Sequence, residues 1–249
     1  MKKTLLALAA TLGLSAVPGV AMAEDSPLSF NLGAVSDYRF RGISQTRFKP
    51  ALQGGLDYGF PSGVYVGAWA STIKWIKDNG VDGGVELDLY GGIKFPLMTD
   101  FTLDLGVLRY EYVGNKLRDT GIYSNANTTE VYAALGYGPV TAKYSHSVSN
   151  LFGNIDSKNS KYLELNASFD LGNGWGIAPH VGRQLVKNLS VASYTDYSLA
   201  VTKDIEGFVV GLSLVGTNAD EGFYVPGPAA NSSKFLGKDG VVLSVKKTF

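Results

Sequence analysis

Charged residues in this chain recur at every second position, with apolar residues filling the places between. Glu86 and Asp88 alternate with Val85, Leu87 and Leu89, and Glu164 stands between Leu163 and Leu165. Asp57 stands between Leu56 and Tyr58, and Glu130 is followed by Val131, Ala133 and Leu135 at the alternate positions. A spacing of two puts the charges on one face of an extended strand and the apolar groups on the other. Carboxylates and amines gathered inside a closed sheet attract, repel and order ions and small polar solutes. The residues read as inward-facing are Asp37, Arg39, Arg41, Gln53, Asp57, Glu86, Asp88, Lys94, Asp104, Glu130, Lys143, Glu164, Asp170 and Asp196. Acids outnumber bases among them, which favours cations mildly. Asp37, Arg39 and Arg41 form the sharpest group, a ladder at the end of the first strand, read either as one side of a constriction or as an anchor for the loop from Gly42. Tyr65, Trp69, Tyr90 and Tyr132 share the inward face, as solute guides or as filler.

Bond-making chemistry finds less support. The alternative of a membrane-embedded enzyme would look like the outer-membrane phospholipase family, which carries a His and a Ser alternating on one outward strand face, completed by an Asn. His146 is followed two places on by Val148, and His180 by Gly182, while Ser145 and Ser147 face away from His146. No catalytic residues are therefore assigned. Asp78-Asn79-Gly80 with Asp82 lacks the spacing and closing glutamate of a calcium loop and reads as a turn, so no metal ligands are assigned. No cofactor is expected either. The glycine pairs at Gly54, Gly83 and Gly91 do not sit between a strand and a helix, so they cradle no phosphate.

The elements that must carry these faces are strands of about nine to eleven residues, the length that crosses a bilayer at a tilt. Ala51 to Phe60, Val85 to Phe95, Thr128 to Tyr137 and Lys161 to Leu171 show the alternation most clearly. Breaks divide the chain into about twelve such segments, an even number suited to an outer-membrane barrel. Short breaks fall at Pro61-Ser62-Gly63, Pro96 to Asp100, Gly138-Pro139, Gly172-Asn173-Gly174 and Asp204 to Gly207. Long polar breaks alternate with them, at Gly42 to Pro50, Ile73 to Gly84, Val113 to Asn127, Ser149 to Ser160, Leu185 to Val191 and Asn218 to Lys238. The expected fold is an all-β, transmembrane, antiparallel up-and-down β-barrel with short periplasmic turns and longer extracellular loops. A soluble sandwich also alternates, but its strands more often stop at five or six residues.

Aromatic residues mark the segment ends. Tyr58, Phe60, Phe95, Phe101, Tyr137, Phe169, Trp175, Phe208 and Phe249 border the short turns or the C-terminus. Phe40, Tyr110, Tyr112, Tyr144 and Tyr194 border the long loops. Two such rows are read as the girdles at the two membrane interfaces.

Residues 1–23 read as a cleaved signal peptide. Lys2 and Lys3 precede an apolar run from Thr4 to Val20, and Ala21-Met22-Ala23 offers a cleavage site before Glu24. Residues 24–249 then form one barrel domain. The 22 basic and 22 acidic residues cancel, so charge gives no reason to expect nucleic acid as a partner. No cysteine is available for lipid attachment or a disulfide.

Val35-Ser36-Asp37-Tyr38-Arg39-Phe40-Arg41-Gly42-Ile43-Ser44-Gln45-Thr46 resembles the opening block of the TorF family of porins. Pro50-Ala51-Leu52-Gln53-Gly54-Gly55-Leu56-Asp57-Tyr58 and the ending Leu243-Ser244-Val245-Lys246-Lys247-Thr248-Phe249 extend the resemblance. The resemblance implies an outer-membrane barrel with no assigned solute and no agreed site residues. The alternating C-terminal strand, ending on Phe249, also resembles the signal by which the outer-membrane assembly machinery recognises its substrates; Lys247 departs from that pattern. Together these features lead to the expectation of a porin-like, non-enzymatic barrel in the cell outer membrane. Its partners would be the surrounding lipid, the assembly machinery and small hydrophilic solutes diffusing passively. The alternative is a closed barrel acting through its loops, of which Asn218 to Lys238 is long enough to cap the mouth.

Overall fold

The computed structural model describes residues 27–249, so the expected signal peptide at 1–23 lies outside the described residues. Those residues form a closed antiparallel barrel of twelve strands, and none of them is α-helical. In chain order the strands are β1 (Leu28–Val35), a short inner pair β2 (Arg39–Phe40) and β3 (Ile43–Ser44), then β4 (Ala51–Gly59), β5 (Val64–Thr72), β6 (Val85–Met98) and β7 (Phe101–Tyr112). There follow β8 (Thr128–Tyr137), β9 (Val140–Ser147), β10 (Lys161–Ala167), β11 (Phe169–Gly172) and β12 (Trp175–Leu185). The last three are β13 (Tyr194–Ile205), β14 (Phe208–Thr217) and β15 (Gly240–Thr248). Each barrel strand pairs with its chain neighbours, and β1 closes the ring against β15. β10 and β11 are two halves of one barrel strand, interrupted at Ser168 and both paired to β12.

Alternation sets the register. In β15 the pairing puts Val241, Leu243 and Val245 outside and Val242 and Ser244 inside. Leu52 and Leu32 are 70% and 64% exposed, and comparable side chains ring the barrel on every wall strand. Leaving so continuous an apolar surface in water is unfavourable, and a bilayer removes that cost. The short connections lie at one end and the long loops at the other, as the sequence predicts.

The aromatic rows divide. Tyr58, Phe60, Tyr137, Phe169, Trp175, Phe208 and Phe249 are exposed at the short-turn end, as a girdle requires. Lys247, the departure from the C-terminal pattern, lies with its Nζ 4.3 Å from the Phe208 ring centre. The second row is a correction: Tyr110, Tyr112 and Tyr194 are buried, Phe40 packs inside, and of the five named residues only Tyr144 stays exposed. Strand parity explains this, because Tyr110 and Tyr112 share the inward face with Asp104. Position near a strand end does not choose a face; parity does.

Candidate functional site

The barrel interior holds most of the charges picked out by their spacing, but the first three reach it by a different route. β1 ends at Val35, and residues 36–50 turn inward instead of extending the wall. Asp37, Arg39 and Arg41 therefore belong to a hairpin inside the barrel, which corrects the reading of them as a ladder on the first strand. The hairpin β2–β3 pairs Arg39 with Ser44 and Phe40 with Ile43 around a two-residue turn, Arg41-Gly42. Both turn residues have positive φ, 45° and 80°, the geometry of a type I′ turn. At its tip Gly42 has no room for a side chain: a Cβ would lie 2.3 Å from Thr217 Cγ2 and 2.9 Å from Asp196 Cβ.

A network of polar bonds fixes the hairpin in place. Asp37 accepts from Ser44 Oγ (2.5 Å) and Thr46 Oγ1 (3.2 Å) and pairs with Arg39. Arg39 Nη1 donates to the carbonyls of Gly42 (2.9 Å) and Lys238 (3.0 Å), tying the hairpin to the loop before β15. Tyr38 donates its hydroxyl to Glu86 Oε1 at 2.7 Å on β6. Arg41 reaches the far wall, where Nη1 and Nη2 meet Glu130 Oε1 (3.1 Å) and Oε2 (2.7 Å) on β8. Its Nη1 also donates to Gln184 Oε1 on β12 at 2.6 Å. The guanidinium stacks 4.1 Å from the centre of the Tyr162 ring. A buried two-point pair with a stacked face holds a fixed position as well as a charge.

Below the hairpin a second network lines the wall. Tyr65 donates to Asp104 Oδ1 at 2.6 Å and shares a short contact with the Tyr132 hydroxyl. Tyr90 donates to Asp57 Oδ1 at 2.5 Å. Lys143 Nζ lies 3.8 Å from Glu164 Oε1 and 4.5 Å from the Tyr132 ring centre. Lys94 Nζ is 3.8 Å from Asp104 Oδ2, nearer the short-turn end. His180 sits between Asp196 (Nε2 to Oδ1, 2.8 Å) and Asn166 (Nδ1 to Oδ1, 2.6 Å). Most of the interior carboxylates are thus braced by tyrosines or bases. Glu86 is held by the Tyr38 hydroxyl, and no Lys, Arg or His among the described residues lies within ion-pair distance of Glu86 or Asp88.

Asp170 keeps the inward parity, since β11 pairs it with Gly176 and Gly176 pairs in turn with the buried Thr202. Asp170 itself is exposed in β11 beyond the break at Ser168, and its Oδ1 accepts from the Gly172 amide in the turn. Tyr38, Tyr110, Tyr112, Tyr162, Gln184 and His180 are site residues that spacing arguments based on charge passed over. The wall residues among them share the parity of charged inward neighbours, so the same rule finds them.

Above the hairpin, at the long-loop end, is a cavity of about 410 Å³. Phe40 and Ile43 of the hairpin contribute to its lining with Trp75, Tyr112, Tyr123, Phe152, Phe223 and Tyr224. In the loop beside it, Asp78 is buried and pairs with Arg47, Nε to Oδ1 3.2 Å. Burial raises its pKa from the ordinary aspartate value, and Arg47 and Lys74 only partly oppose that shift. Asp82 is exposed and its Oδ2 lies 3.8 Å from Lys116 Nζ. His146 bonds outward to the Tyr144 hydroxyl and to Asn159, while Ser145 and Ser147 are buried on the opposite face.

No curated protein matches the chain. Among solved structures, the KdgM porin is similar with a TM-score of 0.55 at 6% identity, over 89% of this chain and 98% of that one. A second KdgM structure, in complex with disordered oligogalacturonate, gives 0.53 at 6% identity, over 89% and 97%. The NanC porin gives 0.53 at 10% identity, over 89% and 98%. These likenesses establish the fold as that of outer-membrane porin barrels. The model of one sequence family, described as a bacterial protein of unknown function (Gcw_chp), matches residues 21–249. With the match running over nearly the whole chain, the protein belongs to the Gcw_chp family.

Proposed function

We propose that this protein is an outer-membrane channel through which small hydrophilic solutes diffuse, with a mild preference for cations. The observation that carries the reading is the sorting of side chains: an unbroken apolar belt outside, and carboxylates, amines and hydroxyls inside. A barrel that only anchored loops in lipid would need no charged interior, and burying that many ionisable groups is costly. Inward acids outnumber inward bases, which is the basis for the cation preference. The resemblance of the opening block to TorF porins supports the same reading, as does the fold shared with KdgM and NanC. In this reading the short turns face the periplasm, the long loops face outward, and solutes enter through the aromatic vestibule. The inner hairpin then narrows the path, with Arg41 bridging it from side to side.

Proteoliposome swelling tests the proposal. Vesicles carrying the folded chain from Glu24 should swell in small sugars and ammonium salts faster than empty vesicles, and neutralising Glu86 with Asp88 should slow ammonium relative to chloride. A second reading, a closed barrel that binds ligands at its mouth, is favoured by the latched hairpin beneath the 410 Å³ vestibule. It predicts no swelling with the wild-type chain.

A further inference from the structure

A second cleft at the long-loop end differs sharply from the aromatic vestibule. It encloses about 350 Å³ and is lined by Arg47, Phe48, Lys49, Lys74, Pro226, Ser232 and Lys234. Three loops supply these residues: the one that carries the inner hairpin, the one after β5 and the long one before β15. Among the described residues, no carboxylate lines it. Arg47 is partly neutralised from behind by Asp78, 3.2 Å away. Among the described residues, no carboxylate lies within ion-pair distance of Lys49, Lys74 or Lys234. Lys234 Nζ instead sits 3.9 Å from the centre of the Phe48 ring. Four cations facing one cavity repel one another, and in a chain with no net charge this is a local excess, not a general bias.

From this arrangement we propose that the cleft binds a phosphate-bearing anion of two or more charges. Lysines act as point charges on phosphate oxygens, while the arginine fork adds directed donors. Ser232 adds a hydroxyl at the rim, and Phe48 and Pro226 give an apolar edge against which a sugar or acyl-linked carrier can rest. The anion removes the mutual repulsion of the three loops, so it also ties the hairpin segment to the loop before β15. Two sources share this chemistry, a free oligophosphate and a phosphorylated lipid headgroup; the second rests on the outer-membrane reading, the first does not.

The test uses the folded chain in maltoside micelles, with inorganic pyrophosphate followed by titration calorimetry at low salt. Native mass spectrometry of the same micelles, with a bis-phosphorylated glycolipid or its dephosphorylated form, examines the lipid source. The proposal expects pyrophosphate binding, phosphate-dependent glycolipid adducts, or both. Each should weaken by about tenfold or more when Lys74→Gln and Lys234→Gln are combined, a loss typical of charge-assisted contacts. Lys158→Gln, an exposed lysine on a different loop, should leave binding unchanged. Calorimetric binding alone identifies a free anion; adducts alone identify the headgroup. Absence of both, or binding that the double substitution leaves intact, overturns the proposal. Heat-modifiable gel mobility of each variant separates loss of the site from loss of the fold.

Discussion

Arg41 and Glu130 meet across the barrel interior through two parallel bonds, although 89 positions separate them in the chain. One stands at the tip of an inner hairpin and the other on the wall strand β8, so the contact holds the hairpin where a solute would pass. Both side chains are about 97% buried. Removing either partner strands a charge away from water, which costs about 3–5 kcal/mol. Arg41→Ala and Glu130→Gln should each lower urea stability in vesicles by that order. Combined, they should cost clearly less than the sum, because the second substitution removes the charge that the first one stranded. Additive losses would show that the pair is not an energetic unit.

The turn itself offers a separate handle. Gly42→Ala places a methyl against Thr217 and Asp196 and also strains the backbone at positive φ. Expulsion of the hairpin is expected, seen as rapid proteolysis within residues 36–50 of a barrel that remains heat-modifiable. Gly121→Ala provides the comparison, since Gly121 has a similar φ of 79° but open space around it. That variant should keep the hairpin protected.

Trp175 reports the lipid boundary. It lies 47% exposed on the outer face at the short-turn end, whereas Trp69 and Trp75 are partly buried and pack against the interior cluster. Brominated acyl chains should quench wild-type tryptophan emission in part, and Trp175→Phe should abolish most of that quenching. Equal quenching in the variant would place another tryptophan in lipid and contradict the register.

Loop docking should depend on pH through Asp78. A carboxyl whose pKa is raised by burial takes a proton more readily in the docked loop than in a loose one. Its contribution to docking is therefore full below the ordinary aspartate value and is lost as pH rises through the raised value. Proteolysis between residues 73 and 84 should accelerate over that acidic window. Arg47→Gln should move the midpoint upward, because Arg47 opposes the shift. Asp78→Asn should remove the dependence, and a persistent midpoint in that variant would point to another group.

The barrel was legible because lipid and interior demand opposite side chains at alternate positions. Once Leu87 and Leu89 face out, Glu86 and Asp88 have only one place to go. The alternation of short and long connections followed from turn residues such as Gly138-Pro139. The hairpin is not legible in the sequence because Asp37, Arg39 and Arg41 alternate with Tyr38 and Phe40 in the same period whether the chain runs up the wall or doubles back within it. Only Arg41-Gly42 hints at the reversal, and a glycine at the start of a loop reads the same way. Tyr110, Tyr112 and Tyr194 were misplaced for a related reason: tyrosine suits a membrane interface and a polar interior equally. Asp170 stays legible across the break at Ser168, because its pairing with Gly176 continues the inward parity of Glu164 and Asn166.

We propose that a polar path runs through the barrel and is narrowed by the Arg41 latch. Single-channel recording in a planar bilayer, under a salt gradient, examines it directly. The wild-type chain from Glu24 should give small unitary steps with a cation-selective reversal potential. The Arg41→Gly, Glu130→Gln double variant, which keeps the turn and removes both latch charges, should give larger steps. A barrel that is folded by gel mobility yet passes no current in either form would contradict the claim.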